Sequence, residues 1–119
     1  MKDGKTVFRN IFKDKADGIE AMLNKLSPEL GRIGIDFPFG EFYAKDDLLD
    51  LKTRELVTIA TLVTQGSTLP QLKIHIEGAL NVGCTPIEIE QAILQLIIYV
   101  GIPKVINALK VFCEVLAEN

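Results

Sequence analysis

The chain has no tryptophan, a single histidine and only two cysteines among its 119 residues, and each scarcity removes a class of function. Cys84 and Cys113 stand far apart and outside any CxxC pattern, so neither a disulfide framework nor a thiolate metal site is expected. The formal net charge is −3 and no Lys/Arg cluster rises above short mixed stretches. Nucleic acid is therefore not an expected partner, because neutralising phosphates takes a basic stripe. The apolar runs fall short of the ~20 residues that a bilayer-spanning helix needs. Residues 1–30 mix Lys and Asp along their whole length, which is not a signal-peptide pattern. There is no glycine-rich phosphate loop, no HExxH, no GxSxG and no His/Asp/Glu cluster at ligand spacing, so neither a metal nor a nucleotide cofactor is expected. No segment alternates with the period of a strand, and nothing repeats. What these absences leave is a cytoplasmic, cofactor-free domain with free thiols.

What is present reads with a helical period, and the expected class is all-α, with about five to seven helices. Hydrophobic residues make up 48% of the chain, enough for one domain to bury a sizeable core. Val7, Phe8, Ile11, Phe12, Ile19, Met22, Leu23 and Leu26 recur at three- and four-residue steps, predicting one amphipathic helix with Thr6 as its cap. Ser27-Pro28 opens a short second helix. Residues 31–47 carry three glycines, one proline and four aromatics, and read as an ordered loop with a turn or two of helix. Asp50 is the expected cap of a helix ending at Gly66, with Leu51, Leu56, Ile59, Leu62 and Val63 facing inward. Thr68-Leu-Pro-Gln71 reads as a capping box for a helix ending at Gly83. Thr85-Pro86-Ile-Glu88 is a second box, for a helix running to about Tyr99. Gly101-Ile-Pro103 breaks and restarts the chain, and a last helix reaches about Ala117.

One of these helices does not suit a lone monomer. Between Pro86 and Val100 only a thin polar stripe interrupts the apolar residues, and a helix apolar nearly all round is buried nearly all round. A chain this short has little left to cover it, unless it is the central helix of a monomer. An identical partner subunit is the simpler expectation.

Candidate chemistry centres on His75, the side chain best placed to exchange protons near neutral pH. It neighbours Leu72 and Ala79 on its helix, so it also reads as a hydrogen-bonded core residue. Glu55, on the preceding helix, could face the same interior and polarise His75; a surface carboxylate in a first turn is the alternative. Arg54 could bind a substrate carboxylate, or be a solvated or interfacial arginine. Tyr43 and Tyr99 could line a pocket or simply pack. Cys84 precedes a helix N-terminus, where a thiol can be acidified, but with no second cysteine nearby it reads as a small inert residue.

Several of these motifs occur together in an order that resembles the carboxymuconolactone decarboxylase family. They are Leu49-Asp50-x-Lys52-Thr53-Arg54-Glu55-Leu56, His75-x-x-x-Ala79-x-Asn81-x-Gly83, Thr85-Pro86-x-Glu88-Ile89 and Tyr99-x-Gly101-x-Pro103. The resemblance covers roughly Pro28 to the C-terminus. It implies an all-α fold assembling into trimers or hexamers of identical chains, with active sites near subunit contacts. Alkylhydroperoxidase D-like members of the superfamily carry a glutamate, a CxxC and a histidine. The first and last of these look like Glu55 and His75, whereas the cysteine positions fall on Thr68 and Gln71. With both thiols missing, a dithiol peroxidase or disulfide reductase is disfavoured. The reaction the resemblance implies is cofactor-independent loss of carbon dioxide from a small carboxylated lactone, giving an enol-lactone. In it His75 is the proton donor and Glu55 its partner, while Arg54 or a residue of another chain holds the carboxylate. Another lactone or keto acid enzyme on the same scaffold, or an oligomeric protein that binds a small ligand without turnover, are the alternatives.

Overall fold

A computed structural model describes residues 3–119. Among these the chain is helical throughout, with eight α-helical segments and no strand. None of the helices is long and apolar enough to cross a membrane. The chain divides into two compact units, residues 1–51 and 52–119.

In the first unit α1 (Gly4–Phe12), α2 (Ala16–Leu26) and α3 (Pro28–Phe37) are followed by a π-helical turn, Pro38–Tyr43. The single amphipathic helix expected over residues 7–26 is broken in two. Lys13 takes φ 50° and ψ −121°, and a 3₁₀ turn, Lys13–Lys15, joins α1 to α2. The cap of α1 is Asp3, whose carboxylate accepts from the Thr6 backbone N–H at 2.8 Å. Thr6 is thus the capped residue and not the cap. Residues 31–47, expected as loop, are mostly helix. Gly31 belongs to α3, where an added Cβ would lie 1.8 Å from Asn24 Oδ1 on α2. The glycine there permits a close helix crossing. Phe8, Phe12 and Phe39 form a cluster with ring centroids 5.1 to 5.6 Å apart, and the Tyr43 ring lies tilted against Phe39 at 4.9 Å. The edge-on contacts of Phe39 with Phe8 and Phe12 are a favoured geometry of aromatic pairs.

The second unit holds α4 (Leu51–Gln65), α5 (Leu69–Asn81), α6 (Pro86–Leu94), the single turn α7 (Ile97–Val100) and α8 (Ile102–Glu118). Its core is aliphatic, built on Ile59, Val63, Leu72, Ile76, Ile89, Ile93, Val105 and Val115, with Phe112 as the aromatic member. α8 packs on α5, α6 and α7. Gly66, Gly83 and Gly101 all take positive φ, at 81°, 107° and 91°, where a Cβ would be strained. At Gly83 the termination is a Schellman pair. Cys84 N–H donates to Ala79 O at 2.9 Å, and Gly83 N–H donates to Leu80 O at 3.2 Å. The box at Thr85 forms reciprocally: Thr85 N–H donates to Glu88 Oε1 at 2.8 Å, and Glu88 N–H to Thr85 Oγ1 at 3.1 Å.

Two expectations fail in this unit. Thr68 forms no capping bond; its hydroxyl instead donates to Leu62 O at 2.8 Å, tying the α4–α5 turn back onto α4. The helix expected to run from 86 to 99 stops at Leu94. Leu96, Ile98 and Tyr99 each bond three residues back instead of four, which tightens the chain and sets α7 apart. Nor is this stretch buried all round within the chain, since Ile87 is 72% exposed and Ile98 74%.

Candidate active site

The buried residues of α4 follow one stripe, Glu55, Ile59 and Val63, because positions four and eight apart share a helix face. Glu55 is therefore carried into the aliphatic core by the same periodicity that buries its neighbours. It is the one charged or polar side chain buried among the described residues. On α5, Leu72, Ile76 and Ala79 turn inward, and His75 stands at the edge of that face. Its side chain is 19% exposed, against 0% for Glu55.

The two side chains meet. His75 Nδ1 lies 3.1 Å from each oxygen of the Glu55 carboxylate. A carboxylate only accepts, so with Glu55 ionised the hydrogen on Nδ1 points at it, and proton exchange with a substrate falls to Nε2. An unpartnered carboxylate in such a core would cost several kcal/mol. The imidazole removes that penalty, and no buried side-chain N or O among the described residues lacks a partner. His75 is thus neither sealed in apolar side chains nor bonded to backbone alone. A partly exposed imidazole held by a buried carboxylate can donate and accept protons at its solvent-facing nitrogen.

The remaining candidates are placed less centrally. Arg54 is half-buried, one residue before Glu55 on α4, and its backbone oxygen accepts from Thr58 Oγ1. Tyr43 belongs to the first unit, where its ring lies against Phe39. Tyr99, on α7, is 82% exposed. Cys84 is buried, with Sγ 3.6 Å from Lys52 O. Of the positions compared with the dithiol motif, Thr68 bonds Leu62 O and Gln71 is exposed.

A brace that the sequence reading missed lies beside the pair. Lys52 Nζ is 3.4 Å from Glu88 Oε1, the same oxygen that closes the capping box. The Cys84 thiol contacts the backbone of the same lysine. Together they pin the first turn of α4, one turn before Glu55, to the turn between α5 and α6. The Thr85 backbone N–H, then Lys52, hold the Glu88 carboxyl below its usual range. Nothing in the sequence signals a contact across this separation; only the fold brings it about.

The fold and the pair define a helical domain built around a carboxylate–imidazole couple contributed by successive helices. The chain belongs to the Carboxymuconolactone decarboxylase family, whose model matches residues 28–114, from the start of α3 to near the end of α8. It is 34% identical over 98 residues to an uncharacterized 15.0 kDa protein of Paracoccus denitrificans, covering 82% of this chain and 72% of that one. It is 40% identical over 61 residues to the nitrosuccinic acid decarboxylase of Metarhizium robertsii, covering 51% of this chain and 42% of that protein. It is 32% identical over 81 residues to the 4-carboxymuconolactone decarboxylase of Acinetobacter baylyi, covering 68% and 59% respectively. The chain spans less than two thirds of the length of either decarboxylase.

Proposed function

We propose that this protein is a cofactor-independent decarboxylase of a small dicarboxylic acid, with His75 delivering a proton to carbon and Glu55 holding the imidazole. The substrate class is the one common to the two decarboxylases it resembles. Nitrosuccinic acid and carboxymuconolactone each carry two carboxyl groups, one of them on a carbon joined to an electron-withdrawing group. Loss of carbon dioxide leaves the bonding pair on that carbon. The nitro group or conjugated lactone delocalises it onto oxygen, and a proton then adds at carbon.

The observation that carries this reading is the 3.1 Å contact of both Glu55 oxygens with His75 Nδ1. As the imidazolium, His75 gives up its Nε2 proton to the carbanion and stays oriented through its Nδ1–H to Glu55 afterwards. Solvent reaches the partly exposed ring and restores the proton. Arg54 is assigned to the carboxylate that remains on the substrate, by bidentate hydrogen bonding. Tyr99 is assigned to the pocket wall, within an assembly of identical chains.

The test is carbon dioxide release from 2-nitrosuccinate and from carboxymuconolactone by the wild type, His75→Ala and Glu55→Gln. The wild type should turn over one of them, and His75→Ala should lower kcat by roughly 10²–10⁴, the usual contribution of a general acid. Glu55→Gln keeps an acceptor without the charge and should fall between the two. Undiminished turnover by His75→Ala would end the assignment.

A further inference from the structure

α4, the helix that carries Glu55, is held differently from the rest of the second unit. α8 packs closely on α5, α6 and α7, and α5 on α6, whereas α4 comes less close to any of these helices. Large side chains stand between: Glu55, Ile59 and Val63 fill its buried face, and helix spacing follows the side chains at the contact. Apolar burial is non-directional, so it fixes the depth of α4 better than its position along its own axis. The Glu55–His75 contact tolerates little movement. Both Glu55 oxygens already stand 3.1 Å from Nδ1, near the long end of an N–H···O hydrogen bond.

Two lysines supply directional contacts, one at each end. At the start of α4 the Lys52 stem lies over Gly83, where a Cβ would come 3.7 Å from its Cδ, and its Nζ reaches Glu88 Oε1 at 3.4 Å. At the far end Lys104 of α8 lies over Gly66, where a Cβ would come 3.2 Å from its Cε, and its Nζ donates to Thr64 O at 2.8 Å. Both glycines take positive φ, 107° and 81°, so neither readily accepts a side chain that would displace the lysine. The same construction thus closes both ends of α4.

Neither lysine sits where its own helix favours it. Lys52 is the second residue of α4 and Lys104 the third of α8, each in a first turn, where the helix dipole disfavours a cation. What offsets this lies across the fold. Lys52 has the Glu88 carboxylate, and Lys104 has the carbonyl end of α4, where a cation is favoured. Local helix stability accounts for neither residue; the placement of α4 accounts for both.

We propose that Lys52 and Lys104 are positioning residues: they fix α4 at both ends and thereby hold Glu55 where its carboxylate keeps a hydrogen of His75 on Nδ1. Neither takes part in the proton transfer; both act through Glu55. The consequence for turnover rests on the decarboxylase reading, because only that reading makes Nε2 the proton donor. The orientation of the ring does not rest on it. A misplacement of about 1 Å costs on the order of 10² in rate, whereas an exposed ion pair contributes little to stability. Loss of these ammonium groups is therefore felt at the site before it is felt by the fold.

The experiment uses the single histidine of the chain, whose ring nitrogen signals are read by NMR without overlap. Followed across its titration, the neutral ring of the wild type should carry its hydrogen on Nδ1. Lys52→Met with Lys104→Met keeps unbranched stems and removes both ammonium groups. It should move a large share of that hydrogen to Nε2, the nitrogen a free histidine side chain prefers, with far-UV circular dichroism unchanged. Its kcat should fall by roughly 10²-fold. Each single variant should show smaller changes of both kinds, and Lys52→Arg with Lys104→Arg should keep most of the wild-type behaviour. Lys5→Met removes an ion pair of the first unit, 3.2 Å from Glu20, and should leave the ring as it is. Should the double Met variant fail to fold, the single variants give the same reading. If the wild type releases carbon dioxide from neither substrate while the Met variants still shift the ring, the positioning stands and the decarboxylase reading falls. A ring that no Met variant at Lys52 or Lys104 moves overturns the inference, whatever turnover does. So does a neutral wild-type ring with its hydrogen on Nε2, or a ring that Lys5→Met shifts equally.

Discussion

The two units of this chain solve the problem of a small core differently. The first closes on aromatic rings: Phe8, Phe12, Phe39 and Tyr43 touch one another at centroid distances of 4.9 to 5.6 Å. Its surface carries Arg9 bonded to Asp17 and Glu20. The second closes on aliphatic side chains and admits one charged group, Glu55, with His75 as its partner. Rings supply large buried area from few residues, which suits a unit of three short helices. A core of Ile and Val can spare one position for a polar pair, provided that pair satisfies itself. The comparison sets a core closed by ring packing alone against one that holds a single buried polar pair.

That contrast can be broken by substitution. Phe8→Ala should have the largest effect, roughly 3–5 kcal/mol, since Phe8 is 2% exposed and two ring contacts would give way to a cavity; the midpoint of urea unfolding reports it. Gly66→Ala comes next, at about 1–2 kcal/mol. Its φ of 81° disfavours a Cβ, and the new atom would also lie 3.2 Å from Lys104 Cε. Thermal unfolding should show a lower Tm.

Thr85→Ala should cost about 1 kcal/mol by removing an N-cap. The same box gives a pH dependence. The Glu88 carboxyl is held below 4.5 in the folded state by the Thr85 N–H and by Lys52. Its contribution is therefore complete above the unfolded value near 4.5, and is lost as the pH falls through the lower folded value. The difference between wild type and Glu88→Gln should accordingly shrink below about pH 4.5. A difference that grows on acidification would contradict the assigned contacts.

The smallest stability effect is the sharpest test. Glu55→Leu replaces a buried carboxyl side chain by an apolar one of similar bulk, leaving the partly exposed His75 to bond with water. Because the fully buried partner is the one removed and His75 keeps access to solvent, stability should change by less than about 1 kcal/mol, in either direction, while the orientation of His75 is abolished. Retained fold with lost turnover would place Glu55 with the chemistry. A loss of more than about 3 kcal/mol would put it with the rings of the first unit, as a structural residue.

Much of the second unit was legible in the sequence because its signals are local. Gly66, Gly83 and Gly101 mark ends where the backbone needs positive φ, and Thr85 with Glu88 marks a start through two bonds three residues apart. Glu55 and His75 could be singled out as a pair because each is spaced with the apolar positions of its own helix, Glu55 on the buried face and His75 at its edge. The first unit was read less well. Gly31 looked like loop, but it serves the approach of α3 to Asn24, a contact no local pattern encodes. The polar run from Lys13 to Lys15 interrupts the apolar spacing without any glycine or proline to mark the break. The division of residues 86–100 at Leu94 has no breaker residue either; it rests on bonds shortened by one residue.

The sequence by itself determined the helical class, the family, most helix ends in residues 50–119 and which side chains could do acid–base work, because period and capping are properties of neighbours along the chain. Only the tertiary structure decided that Glu55 is buried with both oxygens on one nitrogen of His75, that Lys52 and Cys84 brace the helix carrying Glu55, and that Lys104 of α8 holds the far end of that helix. Those depend on residues 20 or more positions apart meeting in space, and such meetings are set by how the helices pack.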